Sequence, residues 1–424
     1  MMKVYLIVLL LLPIYLSAQE SITGQVISEK QKPLSGASVF VPNTTIGTLT
    51  DVNGKFKLNN LPAGNTRIVI SFVGYETTTA IINPTNKIMD YIIKLPDKVH
   101  QLDDVIINQI DPNGWQNWGQ VFMTAFIGSS AYASDCSIIN KEALSFYFSK
   151  GTNVLHAYAS EPLKIENKAL GYLITVTLVD FKYSISNGDV DYLVYSLFEE
   201  MEGKKKNLLK WKKNREKVYE FSLMRFMRSL YNNSTFNDGY ELRRLVKRRN
   251  LERSRVQNIY TKKFQQVKDS FTTAGLNENV SQSAIEKSFS RDTLKYYRKV
   301  LEQDESPTKL QQKTIDDKLI TSKTDSNTVT LHFQDYIVVT YKKSKEPEEF
   351  YNYRVTGGGP KGFDYQPSNN FPKKEWPITH LVLQQAIPIE ITSNGYFANV
   401  DLFIDGFWGW WEKLATKLPY GYEP

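Results

Sequence analysis

The stretch Gly47–Phe56, GTLTDVNGKF, places the turn residues Asp51, Asn53 and Gly54 between two short alternating runs. Asp and Asn side chains bond to nearby backbone in tight turns, and glycine adopts positive φ without a steric cost. Alternating runs separated by such a turn are typical of antiparallel β-structure. The stretch therefore predicts a glycine-containing hairpin turn within an all-β region.

The same pattern extends in both directions along the chain, with turn signals about every eight to twelve residues, a spacing typical of β-sandwiches. Pro33, Pro42-Asn43 and Pro62-Ala63-Gly64 separate the runs. The predicted strands are Ile22–Ser28, Ala37–Val41, Lys55–Leu58, Arg67–Phe72, Thr77–Ile82 and Ile88–Leu95. We therefore expect residues 19–96 to form a small sandwich of two antiparallel sheets.

Four segments of this region resemble the carboxypeptidase-like regulatory domain. They are Gly24-Gln25-Val26, Pro33–Val39, Gly47–Phe56 and Phe72-Val73-Gly74-Tyr75. The resemblance covers about a fifth of the chain. It implies a transthyretin-like sandwich that is common in exported proteins of the Bacteroidetes type, a folding and attachment module without peptidase activity. The same module precedes the plug of some outer-membrane receptors.

The Asp51-x-Asn53-Gly54 sequence also resembles the start of a calcium-binding EF-hand loop. Such a loop needs a third ligand before its glycine and a Glu at position twelve. Neither is present here, so the turn is favoured and no cofactor is predicted.

Residues 1–18 have the features of a secretory signal peptide. Lys3 precedes the apolar run Val4–Leu12, Pro13 interrupts it, and Ala18 provides a small residue before the expected cleavage. No later run reaches 18 apolar residues, so no helical membrane span is predicted in the mature chain. We expect export to the periplasm or to an outer-membrane-associated site.

A polar linker at residues 97–112 is expected to lead into a larger α+β domain at residues 113–424. Helices are predicted from Trp115 to Gly128, around Tyr219–Leu230, from Tyr240 to about Ser270, at Arg291–Glu302 and from Phe407 to about Leu418. Strands are predicted at Ala143–Phe148, Asn153–Ala159, Leu163–Glu166, Leu170–Ser184, Asp189–Phe198, Thr328–Lys342 and Ile378–Gln385. An antiparallel sheet is expected because Asn187-Gly188 is a strong hairpin signal.

Three segments of the larger domain resemble a companion region of other exported regulatory-domain proteins. They are Phe126–Cys136, Pro162–Tyr172 and Gly406–Trp410. The resemblance implies a shared architecture and carries no catalytic residues with it.

The sequence contains no complete catalytic motif. None of His100, His156, His332 and His380 is followed by Glu at the spacing of a metallocarboxypeptidase zinc site. The single Cys136 is predicted to be a core residue rather than the partner of His156 in a dyad. The glycine-rich segment Gly357–Gly362 lacks the P-loop pattern, and Glu199, Glu200 and Glu202 are expected to lie in a solvated turn.

Residues 203–263 form a basic block, with 19 Lys+Arg against 5 Asp+Glu within a chain of net charge +7. The candidate partner surface within it consists of Arg243, Arg244, Lys247, Arg248 and Arg249. Because export makes nucleic acid an improbable ligand, the block is expected either to meet an anionic surface or acidic partner, or to be a solvated helix face.

The aromatic C-terminus is expected to be core. Trp408, Trp411 and Leu414–Ala415 fall on one helical face, although exposed aromatics at this density would indicate an interface.

Together these features predict a non-enzymatic exported cell-envelope protein that binds a protein partner or a surface glycan. The alternative is a hydrolase with a carboxylate-based site in the larger domain, acting on a peptide or glycan. A receptor or transporter is a weaker third alternative, since about 310 residues follow the sandwich, too few for a 22-stranded barrel with its plug.

Overall fold

The computed structural model describes residues 20–61, 66–84, 90–98, 110–273, 289–325, 327–355, 375–384, 387–397 and 402–424. The predicted signal peptide, most of the predicted linker with His100, and the glycine-rich segment at 357–362 lie outside these residues. The chain divides into two compact units. Unit 1 combines Met1–Arg225, Ser393–Tyr396 and Trp410–Pro424, and unit 2 combines Phe226–Thr392 and Phe397–Gly409.

The N-terminal part of unit 1 is a strand-rich sandwich. Its strands are β1 (Glu20–Ser28), β2 (Ser38–Phe40), β3 (Gly47–Leu49), β4 (Lys55–Leu61), β5 (Thr66–Ser71), β6 (Thr78–Ile82) and β7 (Tyr91–Leu95). They form the sheets β4-β1-β7 and β3-β2-β5-β6. Alternate side chains such as Val26, Val39, Ile68 and Leu95 are fully buried between the sheets. Removal of this apolar surface from water stabilises the sandwich.

The turn at Asp51–Gly54 connects the two sheets, because β3 and β4 belong to different ones. The predicted turn is therefore present, but it is not a hairpin. One carboxylate oxygen of Asp51 accepts hydrogen bonds from the backbone N–H groups of Asn53 and Lys55, both at 2.8 Å. Gly54 has φ +71°, which is the left-handed conformation that favours glycine.

A six-stranded antiparallel sheet follows the sandwich in unit 1, and we call it the second sheet to distinguish it from the sandwich. Its strands are β8 (Cys136–Ile138), β9 (Leu144–Ser149), β10 (Val154–Ala159), β11 (Leu163–Asn167), β12 (Tyr172–Ser184) and β13 (Val190–Glu200). Their order is β8-β11-β12-β10-β9, with β13 paired to β12. Helix α1 (Gly114–Phe122) continues into a π-helical turn at Met123–Ile127. The Phe122 ring of α1 packs against the rings of Phe146 and Phe181 at 5.7 and 4.9 Å, which fixes the helix on this sheet.

The sandwich is joined to β13 by backbone hydrogen bonds. Asn43 donates its N–H to the Ser196 carbonyl at 2.6 Å, and the Phe198 N–H donates to the Thr44 carbonyl at 2.9 Å. Thr44 thereby forms a parallel bridge with Leu197. These bonds attach the sandwich directly to the edge strand of the second sheet.

Helices α2 (Lys205–Glu220) and α3 (Leu223–Tyr231) follow, and unit 2 begins within α3 at Phe226. It contains β14 (Tyr240–Lys247), α4 (Leu251–Thr273), α5 (Arg291–Leu301), β15 (Thr308–Thr314), β16 (Thr321–Lys323), β17 (Thr328–Leu331), β18 (Tyr336–Tyr341), α6 (Glu348–Val355), β19 (Ile378–Leu383), β20 (Ile389–Thr392) and β21 (Leu402–Gly406). The sheets are β15-β14-β18-β19-β21 and β16-β17-β20. The predicted fold class, an all-β sandwich followed by a larger α+β region with antiparallel sheets, is confirmed.

The helix predicted from Tyr240 to about Ser270 is wrong in its first half. Tyr240–Lys247 is strand β14, which lies between β15 and β18. Tyr240, Leu242 and Leu245 are buried side chains of this strand. The basic residues between them obscure the alternation of apolar and polar positions that is typical of a strand. Helix α4 begins only at Leu251.

Three other predicted elements are divided in the structure. The helix around Tyr219–Leu230 is two helices, α2 and α3, and the strand Thr328–Lys342 is the pair β17 and β18. The final helix is short: α7 spans Phe407–Trp411, and a 3-10 turn follows at Leu414–Thr416. The helix predicted at Arg291–Glu302 is confirmed as α5.

Candidate functional site

The predicted partner surface lies on β14 and the segment after it. Arg243 and Arg244 are consecutive strand residues, so their side chains point to opposite faces of the sheet. Arg243 is half-buried and pairs with Glu241 at 2.7 Å. Lys247, Arg248 and Arg249 are exposed at the end of the strand. The structure therefore brings the last three together, while a partner role for the five residues stays a prediction.

Cys136 and His156 lie on strands β8 and β10, with β11 and β12 between them. His156 pairs with Lys182 of β12, and Cys136 pairs with Asn167, which pairs with Tyr172 at the other end of β12. At about 3.3 Å per strand residue the two side chains are roughly 30 Å apart along the sheet, so no thiol–imidazole dyad forms. Burial raises the pKa of Cys136 to about 12. His156 stacks on Tyr147 instead, with ring centroids 5.5 Å apart. Cys136 is buried in the core, as the sequence predicts, and His156 is a half-buried strand residue.

The other described histidines do not build a metal site. His332 is exposed, and the His380 imidazole lies 4.0 Å from the Asp405 carboxylate on the neighbouring strand. Within the described ranges, no group of three or more His, Cys, Asp or Glu side chains is arranged to hold a metal ion.

Two of the companion-region segments, Phe126–Cys136 and Pro162–Tyr172, lie in unit 1 with Trp410, the last residue of the third segment, and with the C-terminal residues. The Trp410 indole N–H donates to the Ser129 hydroxyl at 2.8 Å. The Asn167 side-chain amide donates to the Ala415 carbonyl at 3.1 Å. The Trp411 ring packs edge-on against Tyr132, with centroids 6.0 Å apart. The predicted core role of these tryptophans is thereby explained, since Trp408, Trp410 and Trp411 are all buried.

A charged cluster lies within this packed segment. It consists of Glu412, Lys413 and Lys417, all of them only partly exposed. The Leu223 N–H donates to the Glu412 carboxylate at 2.7 Å. Burial raises the pKa of Glu412, although Lys417 and this hydrogen bond oppose the shift. Burial and the nearby Lys417 lower the pKa of Lys413 to about 8. The sequence does not predict this cluster, because charged residues among apolar ones are its only local signal.

The pKa of Lys413 predicts a pH-dependent stability. The unfolded chain holds this proton with a pKa of about 10.4, so between pH 8 and that value the unfolded state binds more protons and stability rises with pH. We expect the free energy of unfolding of the native protein, minus that of Lys413→Met, to rise by about 1 kcal/mol between pH 8 and about pH 9.5. Urea denaturation at each pH measures this difference. The exposed Lys150→Met is the control, and a flat difference for Lys413→Met would contradict the cluster geometry.

An open cleft of about 410 Å³ lies beside the ring of Tyr172 in unit 1. The Arg215 guanidinium lies 3.9 Å from the Tyr172 ring centroid, donates from Nε to the Leu170 carbonyl at 2.7 Å, and pairs with Glu200 at 3.1 Å. The lining residues are Thr45, Tyr172, Glu200, Lys212, Arg215, Pro419, Gly421, Tyr422, Glu423 and Pro424. Because Arg215 is held by internal partners, the exposed Glu200, Lys212 and Glu423 are the charged side chains that a ligand would meet. Such a lining can hydrogen-bond a polar, hydroxyl-bearing molecule.

The N-terminal region matches proteins of known family. The model of the CarboxypepD_reg-like domain matches residues 22–107. Residues 22–107 are a CarboxypepD_reg-like domain. The resemblance carried by the four segments of the sandwich is confirmed, and the match covers about a fifth of the chain.

Two curated relatives share the CarboxypepD_reg-like domain. TonB-dependent receptor P39 of Formosa agariphila is 33% identical over 92 residues, which are 22% of this chain and 8% of that protein. TonB-dependent receptor SusC of Bacteroides thetaiotaomicron is 36% identical over 89 residues, which are 21% of this chain and 8% of that protein. The chain thus spans less than a tenth of the length of these relatives.

A solved type II cohesin–X-dockerin complex from Acetivibrio cellulolyticus also aligns with a small part of the chain. The alignment covers 18% of this chain and 56% of that chain at 19% identity, with a TM-score of 0.16. An overlap this limited bears on neither fold nor function. In the described part of the chain, none of the helices has both the length and the apolar character needed to cross a bilayer.

Proposed function

We propose that this chain is a non-enzymatic, exported cell-envelope protein whose CarboxypepD_reg-like domain carries a larger partner-binding region. The observation that supports it most is the 33% identity of this domain to part of a TonB-dependent receptor. The apolar run before Ala18, typical of a signal peptide, supports export. The backbone bonds from Asn43 and Thr44 to β13 support an attachment role, since they hold the sandwich to the neighbouring sheet.

The cleft beside Tyr172 favours a surface glycan as a second candidate ligand. Glu200 and Lys212 offer an acceptor and a donor at its rim, and the Tyr422 ring among the lining residues offers a face for sugar stacking. The hydrolase alternative would need two carboxylates flanking a bond. The cleft lining contains two, Glu200 and Glu423, but Glu200 pairs with Arg215 at 3.1 Å, an arrangement that fits binding better than proton transfer.

Envelope fractionation combined with crosslinking in the producing cell tests the proposal. We expect the protein in the envelope fraction, with Gln19 as its N-terminus by mass spectrometry, crosslinked to a protein partner or a glycan. The double variant Glu200→Gln/Tyr422→Ala tests the cleft, and Tyr296→Ala, at a 48% exposed tyrosine elsewhere, is the matched control.

Recovery of the chain from the cytoplasm with Met1 intact would overturn the export proposal. Product release from peptides or glycans that is lost in Glu200→Gln would favour the hydrolase instead. Equal glycan capture by the cleft variant and the control would exclude the cleft as the glycan site.

A further inference from the structure

Helix α2 carries two exposed leucines, Leu208 and Leu209, and lysines surround the second of them. Leu209 is 61% exposed. Its neighbours at three and four residues along the helix, on either side, are Lys205, Lys206, Lys212 and Lys213. We call Leu209 with these four lysines the lysine–leucine face. The face thus combines an apolar side chain with basic ones, the residue types that contact acyl chains and anionic headgroups in interfacial helices.

The opposite side of α2 fixes the helix in unit 1. Trp211 and Val218 are buried, and the Trp211 indole N–H donates to the Lys168 carbonyl at 2.8 Å. The Arg215 guanidinium is held by the Leu170 carbonyl at 2.7 Å. Because these contacts set the rotation of the helix about its axis, the lysine–leucine face points to solvent.

The charges of this face are poorly neutralised within the described residues. Near the C-terminal end of α2, Lys217 pairs with Glu220 at 2.7 Å. Lys205, Lys206 and Lys213 form no ion pair with any residue that the structure describes, and Lys212 has only a 3.9 Å contact with Glu216.

The first turn of α2 contains no acidic residue, and no side chain caps its N-terminus. Cations at this end of a helix are repelled by its dipole, so the fold gains nothing from lysines placed there. An anionic partner outside the chain would neutralise the charge of these lysines.

We propose that the lysine–leucine face docks on the anionic headgroup surface of a lipid bilayer. The lysines meet lipid phosphates, while Leu209 enters the boundary between headgroups and acyl chains. The exposed Leu209 favours a bilayer over an acidic protein surface, because a bilayer has an apolar layer next to its charged groups. Lysine stems can extend along such a layer and keep their ammonium groups in water. Docking on a bilayer rests on the proposed envelope function and names one surface that the protein meets.

Vesicle co-sedimentation of the purified protein tests the docking. Vesicles of equal parts phosphatidylglycerol and phosphatidylcholine are compared with vesicles of phosphatidylcholine alone. We expect binding only to the anionic vesicles, and binding that weakens as salt is added. The triple variant Lys205→Gln/Lys206→Gln/Lys213→Gln should lower the affinity about 100-fold, and Leu209→Gln about 10-fold.

Matched controls carry the same changes elsewhere on the surface. Lys57→Gln/Lys150→Gln/Lys323→Gln alters three exposed lysines, and Leu319→Gln alters a leucine that is 74% exposed. Both should bind the anionic vesicles like the native protein, and circular dichroism confirms that every variant is folded.

Equal binding of the native protein to both vesicle types, or equal losses in the triple variant and its control, would overturn the docking. If Leu209→Gln keeps full affinity while the lysine variant loses it, the face is a general polyanion site and the bilayer proposal fails. These outcomes are independent of export, since the vesicles contain no cellular component.

Discussion

Gly171→Ala is expected to lower the free energy of unfolding by about 3 kcal/mol, from strained backbone and overpacking together. Gly171 has φ +72°, and a Cβ atom there would lie 2.2 Å from Cδ2 of the Trp211 ring. The ring cannot easily withdraw, because its N–H donates to the Lys168 carbonyl at 2.8 Å. The substitution would therefore loosen α2 from the loop between β11 and β12.

Gly188→Ala is the matched control for this prediction. Gly188 has φ +78°, but the nearest atom to its Cβ position is the Tyr183 hydroxyl oxygen at 3.9 Å. It tests backbone strain without crowding, and we expect a loss of about 1 kcal/mol. Urea denaturation followed by tryptophan fluorescence measures both variants. Equal losses would show that Trp211 does not press on Gly171.

Asn167→Ala is expected to cost about 3 kcal/mol, because it leaves two buried backbone groups without their hydrogen-bond partner. Asn167 has no exposed surface. Its amide donates to the Ala415 carbonyl at 3.1 Å, and its carbonyl oxygen accepts from the Leu170 N–H at 3.0 Å. One side chain thus joins the β11–β12 loop to the C-terminal segment.

Asn167→Asp tests the bond to the Ala415 carbonyl, and Asn327→Ala is the control. Asn167→Asp keeps an acceptor for Leu170 but directs a carboxylate at the Ala415 carbonyl, so we expect a loss at least as large as for alanine. Asn327→Ala, at an exposed turn, should change the unfolding free energy by less than about 0.5 kcal/mol. A similar small effect of Asn167→Ala in the same urea titration would contradict the link to Ala415.

Local patterns are sufficient to predict the sandwich and much of the second sheet. The turn at Asp51–Gly54 and the hairpin at Asn187-Gly188 depend on residues next to each other in sequence, so their conformations can be deduced from those residues. That β3 and β4 enter different sheets could not be deduced, since pairing is decided by strands elsewhere in the chain.

Strand β14 shows why the rest was harder to predict. Leu242 and Leu245 pair with Val339 and Tyr336 of β18, more than 90 residues later, and no local signal reveals such a partner. The charged cluster of Glu412 likewise depends on the Leu223 N–H, 189 residues away in sequence. The position of Leu209 among lysines on α2 was detectable in the sequence, but the basic block as a whole concealed it.

Unit 1 is built from both ends of the chain, and this affects the order in which its contacts can form. Residues 410–424 belong to the same unit as the N-terminal sandwich, and the Tyr420 N–H donates to the Asn43 carbonyl at 2.8 Å. During synthesis the N-terminal residues emerge first, yet this contact forms only after the intervening residues of unit 2 have been made. The Asn43 carbonyl therefore receives its Tyr420 partner only when the last residues have been made, and a chain shortened before Trp410 would lack this bond.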